Sequence, residues 1–355
     1  MINLNTTLTL NDITQLLQFR GKDAKLLHEH ARDIKKNGVG NIVYFRGLVE
    51  YSNICSKNCY YCGIRAGNQT AVRYKMSDEE VFEAIDFAWK RKYASVVLQA
   101  GEVSGPDFTG KIEYLLKEIY RRTNGEIAVT LSLGEQTRET YECWRAAGAS
   151  RYLLRIETSN QEIYNKIHPT NTHHSFEERL RCLHLLRELD YQVGSGVMIG
   201  LPFQTVEDVA RDLLFLKEFD VDMVGMGPYL EHEATPLFAH KEELLSKQER
   251  FDMAINAVAI LRILMPDINI AATTALQSID PTGREKAIEV GANVIMPNLT
   301  PTKYRENYLL YENKPCIDED KEQCAGCLET RIRFTGNEIG YGVWGDAQHY
   351  HKRKL

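Results

Sequence analysis

The chain has 355 residues, 43% of them hydrophobic and 26% charged, which is enough to bury a large core. Its 43 Lys and Arg against 49 Asp and Glu give a net charge of −6, and no basic block is longer than the three residues 352–354. This balance does not predict a nucleic-acid partner. The first twenty residues lack the apolar core of a secretory signal, and no apolar run approaches the length of a membrane span.

The eight cysteines form an odd set for disulfides, since three lie in one short loop and three lie near the C-terminus. The other two, Cys143 and Cys182, fall inside helical patterns. A reducing cytoplasm and metal binding explain this distribution better than disulfide bonds do.

The predicted elements begin with two helices over 11–36, the first with Asn11 as its N-cap. Apolar, β-rich runs then alternate with amphipathic helical runs. The predicted strands are 41–51, 95–100, 127–133, 151–156, 192–199, 222–229, 269–276 and 293–299, and the helices are 77–92, 111–123, 138–147, 176–189, 206–219, 246–264 and 283–290.

This alternation predicts an α/β fold, a (β/α)8 TIM barrel or a partly open form of one. A doubly wound sheet would need a ligand crevice near mid-sheet, whereas polar signatures here follow nearly every strand, as a barrel active site requires. We expect one domain over 1–355, with N-terminal helices (1–40), the barrel (41–311) and a C-terminal tail (312–355).

The cysteine loop, Cys55-Ser-Lys-Asn-Cys59-Tyr-Tyr-Cys62, follows the first predicted strand with C-x3-C-x2-C spacing. Three thiolates on a short loop can hold three irons of a 4Fe-4S cube and leave the fourth iron open to an outside ligand. A zinc knuckle is the alternative, but it needs a fourth protein ligand, and no His or Cys follows within several turns. The spacing therefore favours a cluster.

With Tyr61 before its last cysteine, the loop resembles that of the radical S-adenosylmethionine (SAM) superfamily. Along almost its whole length the chain is similar to the HydE family of FeFe-hydrogenase maturases, whose relatives include biotin synthase and methylornithine synthase. The resemblance implies that SAM binds the open iron and that an electron from an external donor, passed through the cluster, cleaves SAM to a 5′-deoxyadenosyl radical.

Several strand ends match positions at which the family binds SAM. Gly101-Glu102 match the last two positions of a Gly-Gly-Glu-like turn that holds the SAM amino group, with Ala100 in place of the first glycine. Arg155 and Glu157 share a strand face by the two-residue period. From the residues alone they are an ordinary ion pair, and by resemblance they are SAM contacts.

Further SAM contacts are implied only by the resemblance. Arg179 matches the arginine that holds the methionine carboxylate, although its pattern alone predicts a solvated helix face. The adenine would contact Met198 or Ile199, with hydrogen bonds from the backbone after Tyr61, while Tyr308 would reach over the cavity.

Paired hydroxyls at barrel strand ends can donate hydrogen bonds to anions or cyanide-like ligands. Without the resemblance, they are more typical of β-branched core residues. With it, the expected substrate contacts are Arg46 at the cavity floor, Thr130, Ser132, Thr273, Thr274 and Tyr311.

The C-terminal set Cys316-x7-Cys324-x2-Cys327 predicts a second metal site. Some HydE proteins carry an additional surface iron–sulfur cluster at this position, and a zinc site with His349 or His351 as fourth ligand is the alternative. Because the set follows the eighth strand, we expect it to lie well away from the radical chemistry and to be dispensable for SAM cleavage.

The resemblance implies a substrate, an Fe(CO)2(CN)(cysteine) complex made by the maturase HydG, and a product passed to the scaffold HydF. One alternative is a methylornithine synthase-like mutase acting on an amino acid. Sulfur insertion, as in biotin synthase, is not favoured because no predicted strand interior supplies a cysteine. A non-catalytic iron–sulfur carrier is the alternative of another class, and it leaves Glu102, Arg155 and Glu157 without a role.

Overall fold

The computed structural model describes Ile2, Leu4 and residues 7–355, so positions 1, 3, 5 and 6 of the predicted N-terminal extension lie outside the described residues. The two predicted helices are present as α1 (Leu10–Leu17) and α2 (Gly21–Gly38). The predicted cap at Asn11 is wrong, because Thr9 caps α1. The Asp12 backbone N–H donates to the Thr9 hydroxyl, and the Thr9 N–H donates back to the Asp12 carboxylate, forming a capping box.

Strands and helices then alternate along the chain. The strands are β1 Ile42–Phe45, β2 Gly47–Ser52, β3 Ser95–Ala100, β4 Ala128–Ser132, β5 Ala149–Leu153, β6 Gln192–Ser195, β7 Met198–Ile199, β8 Met223–Val224, β9 Gly227–Pro228, β10 Asn269–Ile270, β11 Val294–Ile295 and β12 Glu338–Ile339. The helices after α2 are α3 Asp78–Lys90, α4 Pro106–Arg122, α5 Arg138–Ala146, α6 Gln161–Ile167, α7 Phe176–Glu188, α8 Val206–Glu218, α9 Lys247–Leu264, α10 Thr274–Ile279, α11 Gly283–Val290, α12 Thr302–Arg305, α13 Lys321–Phe334 and α14 Gln348–Arg353.

The strands form a parallel barrel. A seven-stranded sheet has the order β10-β8-β6-β5-β4-β3-β2, and β11 closes it by lying between the two edges. On one side Tyr44 and Arg46 donate backbone hydrogen bonds to Asn293 and Ile295, and on the other Ala272 donates to Val294. The predicted (β/α)8 barrel is therefore confirmed, with the loops after the strands grouped at one end.

Three differences from the predicted elements bear on the site. The fourth predicted strand ends at Leu153, so Arg155 and Glu157 lie in the loop beyond it. The seventh predicted strand is only β10, since α10 begins at Thr274. Helices α6, α10, α12, α13 and α14 were not predicted, because most are short and, except for α6 and α13, lack a side-chain cap.

The N-terminal helices cover the outside of the barrel. Helix α9 is buried on almost every side, and the Asn256 side-chain amide donates to the carbonyls of Leu17 and Phe19 while His28 contacts its oxygen at 2.8 Å. Within the described ranges, no helix has the length and apolar character needed to span a bilayer.

The C-terminal tail closes the opposite end of the barrel, where the strands begin. Strand β12 extends the sheet beside β1 in parallel register. The turn that follows reaches into the barrel floor, where Arg46 and Asn269 both donate to the carbonyl of Gly345 at 3.1 and 2.9 Å. Arg151, fully buried, donates to the Asp346 carboxylate and to Ser95 Oγ.

We expect Asp346→Asn to lower the free energy of unfolding by about 2 kcal/mol, because it leaves the buried Arg151 guanidinium without a counter-charge. Urea unfolding followed by circular dichroism measures the change. Asp318→Asn, at an exposed position, is the matched control. Equal unfolding midpoints for the two variants would contradict this role of Asp346.

Candidate active site

The cysteine loop is held against the end of β3 by a close backbone approach at Gly101. The Gly101 N–H donates to Ser52 O at 2.9 Å, the Ser56 N–H donates to Glu102 O at 2.8 Å, and the Glu102 N–H points to Cys55 Sγ at 3.3 Å. A Cβ on Gly101 would lie 2.4 Å from the Ile54 carbonyl oxygen. Only glycine fits there, so the predicted Gly101-Glu102 turn and the cysteine loop form one unit.

The three loop cysteines are all free thiols and are partly buried. Three thiolates can hold three irons of a 4Fe-4S cube, whereas a structural zinc ion needs a fourth protein ligand. Burial raises the pKa of Cys59 to about 12 and that of Cys62 well above its usual value. Loading of iron must therefore release protons from these thiols.

A buried network of four charges lies beside the loop. The ammonium of Lys57, between the first two cysteines, contacts Glu135 at 2.6 Å and Glu102 at 3.1 Å, and Arg179 Nε donates to Glu135 at 2.5 Å. None of these side chains is more than 12% exposed. Two cations and two carboxylates balance, which offsets the cost of their burial.

The network sets the ionisation of its carboxyl groups in opposite directions. Burial tends to raise the pKa of Glu135, but Arg179 and Lys57 outweigh burial and lower it. Burial, followed by the neighbouring Glu135, raises the pKa of Glu102. Glu102 is thus the less satisfied carboxylate of the two and has capacity for another cation, as expected of a group that binds an amino group.

Glycine makes room for Glu102 on its other side. Gly134 has φ +77°, and a Cβ there would lie 2.1 Å from a Glu102 carboxylate oxygen. The turn after β4 therefore requires glycine for both its backbone conformation and its space. It also aims the next residue, Glu135, at the loop.

Arg155 and Glu157 lie together, as predicted, but on a strained loop and not on a strand. Arg155 Nη2 is 3.0 Å from Glu157 Oε2 and donates to the Val197 carbonyl at 2.8 Å. Glu157 has φ 67°, which is costly for a residue with a Cβ and is concentrated at functional sites. Arg179 Nη1 donates to Arg155 O at 2.5 Å, linking this pair to the charge network.

Arg179 itself is buried, so the solvated helix face that its pattern predicts is wrong. The side chain extends from the first turn of α7 into the barrel mouth, the end of the barrel at which the strands finish. There its guanidinium pairs with Glu135.

An apolar cluster forms one wall of the mouth. Tyr61 and Met198 pack, half-buried, against Ile163 and Ile167, whereas Ile199 is fully buried in the main core. Of the two residues predicted to contact adenine, Met198 is partly exposed and Ile199 is fully buried. Tyr61 Oη lies 3.2 Å from His168 Nε2, and burial lowers the pKa of His168 to about 3, so this imidazole is neutral.

Residues 306–316, which follow β11 and α12, form a segment that crosses the mouth of the barrel. Gln99 donates to the Tyr308 hydroxyl at 3.2 Å, and the Tyr311 and Thr274 hydroxyls are 2.7 Å apart. The segment is fixed at one end by the Gly63 N–H, which donates to Leu310 O at 3.0 Å. Both predicted tyrosines therefore lie over the barrel.

Below the mouth, the barrel contains an apolar cavity of about 40 Å³ with a cation at its floor. Arg46 lines it and contacts Met223 Sδ and Gly345 O, and among the described residues no carboxylate lies within 4.0 Å of its guanidinium. The Thr130 hydroxyl, also lining the cavity, is buried with no partner. A buried cation with no carboxylate in direct contact, beside an unused hydroxyl, is suited to an anionic ligand.

The remaining hydroxyl residues stand apart from this floor. Ser132 is half-buried at the end of β4, in register with Gln99. Thr273 Oγ1 donates to the Met226 carbonyl at 3.1 Å and is already satisfied.

In the tail, Cys316 and Cys324 are close together, with Glu319 and not Cys327 as their near neighbour. The three ligand atoms of Cys316, Glu319 and Cys324 lie within 4.8 Å of one another, while Cys327 is exposed one helical turn further along α13. Arg305 donates to the carbonyl oxygens of Cys316 and Asn298, and Asn298 lies just after the end of β11. The pair is therefore anchored at the mouth end of the barrel.

The zinc alternative with a tail histidine is wrong. His349 is held between Asp267 and Asp220, at 2.9 and 2.6 Å, at the end where the strands begin. His351 is exposed near Asp346 in the same place. Neither can reach cysteines at the mouth end.

Sequence reasoning missed several residues of the site. Lys57 was visible inside the cysteine motif, and Glu135 follows the conspicuous Gly134, but nothing in the local sequence shows that they pair. Gln99 and His168 are separated from Tyr308 and Tyr61 by more than one hundred residues. These contacts exist only after the barrel closes.

Comparison with known proteins relates almost the whole chain to one superfamily. Residues 49–216 match the family model described as the Radical SAM superfamily. The chain is 46% identical over 90% of its length to the [FeFe] hydrogenase maturase subunit HydE of Thermotoga maritima, covering 88% of that protein. It is 25% identical to 3-methylornithine synthase of Methanosarcina acetivorans, over 85% of this chain and 83% of that one. The solved structure of methylornithine synthase aligns with a TM-score of 0.80 at 22% identity, covering 95% and 96% of the two chains, and shows the same fold.

We expect Gly101→Ala to reduce the iron retained after anaerobic reconstitution by at least about threefold, because its Cβ must displace the backbone before Cys55. Iron per chain, measured after desalting, tests this. Gly110→Ala on α4 is the matched control, since a Cβ there meets nothing within 4 Å. Full iron loading in Gly101→Ala would show that the loop tolerates the shift.

Proposed function

The chain belongs to the HydE family of radical SAM enzymes, and from this premise we propose that it matures FeFe-hydrogenase by acting on a small organometallic substrate inside its barrel. As a member of that family it uses a 4Fe-4S cluster and SAM and generates 5′-deoxyadenosyl radicals. One feature supports the substrate proposal: the mouth that we assign to SAM lies above an apolar cavity whose floor holds a cation with no carboxylate in direct contact.

We assign the catalytic cluster to Cys55, Cys59 and Cys62. Three thiols leave one iron of a 4Fe-4S cube without a protein ligand, and the backbone at Gly101 fixes the loop that carries them. A cluster bound there supplies the electron that breaks a C–S bond of SAM.

We assign SAM to the mouth of the barrel, with each end matched by charge. Glu102 receives the amino group, and Arg179 attracts the carboxylate. Arg155 and Glu157 contact the ribose and carboxylate side, while Met198 and the backbone at Tyr61 hold the adenine. Tyr308 covers the bound cofactor from the crossing segment.

We assign the cavity to the substrate's anionic end. An iron complex of carbon monoxide, cyanide and cysteine presents cyanide and carboxylate groups, which Arg46 and Thr130 can bind at the floor. Thr274 and Tyr311 close the upper side, with Ser132 and Thr273 at neighbouring strand ends. The apolar walls exclude water from the radical.

The partners follow from this chemistry. HydG is expected to supply the complex and HydF to receive the product, and a one-electron donor must reach the cluster. The alternative of an amino-acid mutase differs at the floor, because a buried cation suits one carboxylate but leaves a substrate ammonium group without a counter-charge there.

For the tail we propose a second, auxiliary metal site at Cys316, Cys324 and Cys327. The first two cysteines are already close together, and a change of rotamer or a small helix movement would bring in the third from the next turn of α13. An iron–sulfur cluster is the favoured occupant.

The decisive test is SAM cleavage. The reconstituted, reduced protein should convert SAM to 5′-deoxyadenosine, and a Cys55→Ala, Cys59→Ala, Cys62→Ala variant should give none above background, since the loop then holds no cluster to bind SAM. Chromatography of the nucleoside measures both. If the parent bound a cluster without cleaving SAM, with or without the HydG product, the proposal would fail.

We expect Arg46→Met to raise the HydG-product concentration needed for half-maximal turnover by about tenfold to a hundredfold, from loss of one charged contact of roughly 1.5–3 kcal/mol. Arg46→Lys, which keeps the charge, should lose less. Iron content should match the parent in both variants. Equal substrate dependence in all three proteins would remove Arg46 from the substrate site, and turnover of an amino acid in place of the HydG product would favour the mutase.

Replacing Cys316, Cys324 and Cys327 with Ser should lower the iron per chain to that of the loop cluster alone and leave 5′-deoxyadenosine production within about twofold of the parent. Iron analysis and the cleavage assay measure the two effects. A loss of cleavage comparable to that of the loop variant would contradict the separation of the two sites.

A further inference from the structure

The base of the cysteine loop is joined by one arginine that the assigned chemistry does not use. After Cys62 the chain runs outward and returns antiparallel to the end of β2, where Ser52 and Lys75 form a bridge. Arg73 lies at this return. Its Nη1 donates to Asn53 O and Ile64 O, both at 2.7 Å, and its Nη2 donates to Arg65 O at 2.7 Å and Asn68 O at 3.1 Å.

These four bonds use every N–H on the two terminal nitrogens of the guanidinium. They also connect both sides of the loop, since Asn53 precedes Cys55 by two residues and Ile64 follows Cys62 by two. A lysine carries its donors on a single nitrogen and cannot reproduce this planar fork.

The loop has no regular secondary structure of its own, so side-chain and backbone contacts hold its shape. No helix or strand is assigned between the end of β2 and α3. Asn53 provides a second tie at the same base: its amide donates to Val72 O at 2.8 Å and Asn307 O at 2.6 Å, and its oxygen accepts from the Tyr74 N–H at 2.8 Å. Both side chains bind the base of the loop and leave the thiols free.

We propose that Arg73 is a positioning residue for the cluster: by joining the two flanks of the loop through backbone carbonyls, it holds Cys55, Cys59 and Cys62 in the spacing that receives the irons. This inference rests on the assignment of the cluster to these three cysteines. It makes the guanidinium fork, and not only a positive charge, a requirement for a stable cluster.

The test compares Arg73→Lys, Arg73→Met and, as matched control, Lys75→Met, which removes an exposed cation two residues away. Iron and sulfide per chain, the rate of iron loss to a chelator, and the electron paramagnetic resonance spectrum of the reduced cluster with and without SAM are measured. Apoprotein melting is followed in parallel.

Arg73→Lys and Arg73→Met should both lose iron to the chelator at least about fivefold faster than the parent and give altered spectra on SAM addition. Their apoproteins should melt within a few degrees of the parent, and Lys75→Met should match the parent throughout. A parent-like spectrum and chelation rate in Arg73→Lys would overturn the proposal, even if Arg73→Met failed to fold. A parent that loads no cluster dependent on Cys55, Cys59 and Cys62 would instead disprove the cluster assignment.

Discussion

The pairing of Lys57 with Glu135 and Glu102 is the interaction on which the site depends. Lys57 belongs to the cysteine loop, Glu102 to the end of β3 and Glu135 to the end of β4, so one ammonium joins three consecutive parts of the barrel mouth. Arg179 adds α7 to the same network. Because these charges are buried, each is stable only while its partners are in place, and the loop cannot leave the strand ends without exposing an unpaired carboxylate.

The two ends of the barrel differ in how their buried charges are paired, and this difference supports the proposed positions of the ligands. At the mouth, the cations and carboxylates of the network balance in number. Burial nevertheless raises the pKa of Glu102, so an additional cation beside this carboxylate would stabilise its ionised form. At the floor, Asp346 is used by Arg151, while Arg46 has only a carbonyl and a sulfur as partners. The sulfonium and amino groups of SAM at the mouth would supply positive charge beside Glu102. An anionic complex at the floor would supply negative charge beside Arg46. The cavity between them is apolar, so under the assignment proposed above the charges at its ends would set the order of the ligands along the barrel axis.

The sequence was most informative where chemistry is local. The cysteine spacing, Gly101-Glu102 and the eight-fold alternation were all readable, since a cluster ligand set, a close backbone approach and a strand period each occupy a few neighbouring residues. Element ends were less predictable: Thr9 displaced Asn11 as a cap, and the strand before Arg155 ended early. Burial of Arg179 could not be read from its helix, because the carboxylate that requires it comes from another strand end.

The segment that crosses the mouth brings together features that are distant in sequence. Asn307 O accepts from the Asn53 amide, and Lys314 pairs with the buried Glu50 and donates to Tyr308 O at 2.9 Å. The same segment leads directly to Cys316, whose carbonyl Arg305 holds. A metal at the tail would therefore stiffen the far end of a cover whose near end is tied to the cysteine loop. The tail set is thus joined to the cysteine loop through one covering segment, since the Asn53 amide holds Asn307 and Arg305 holds Cys316.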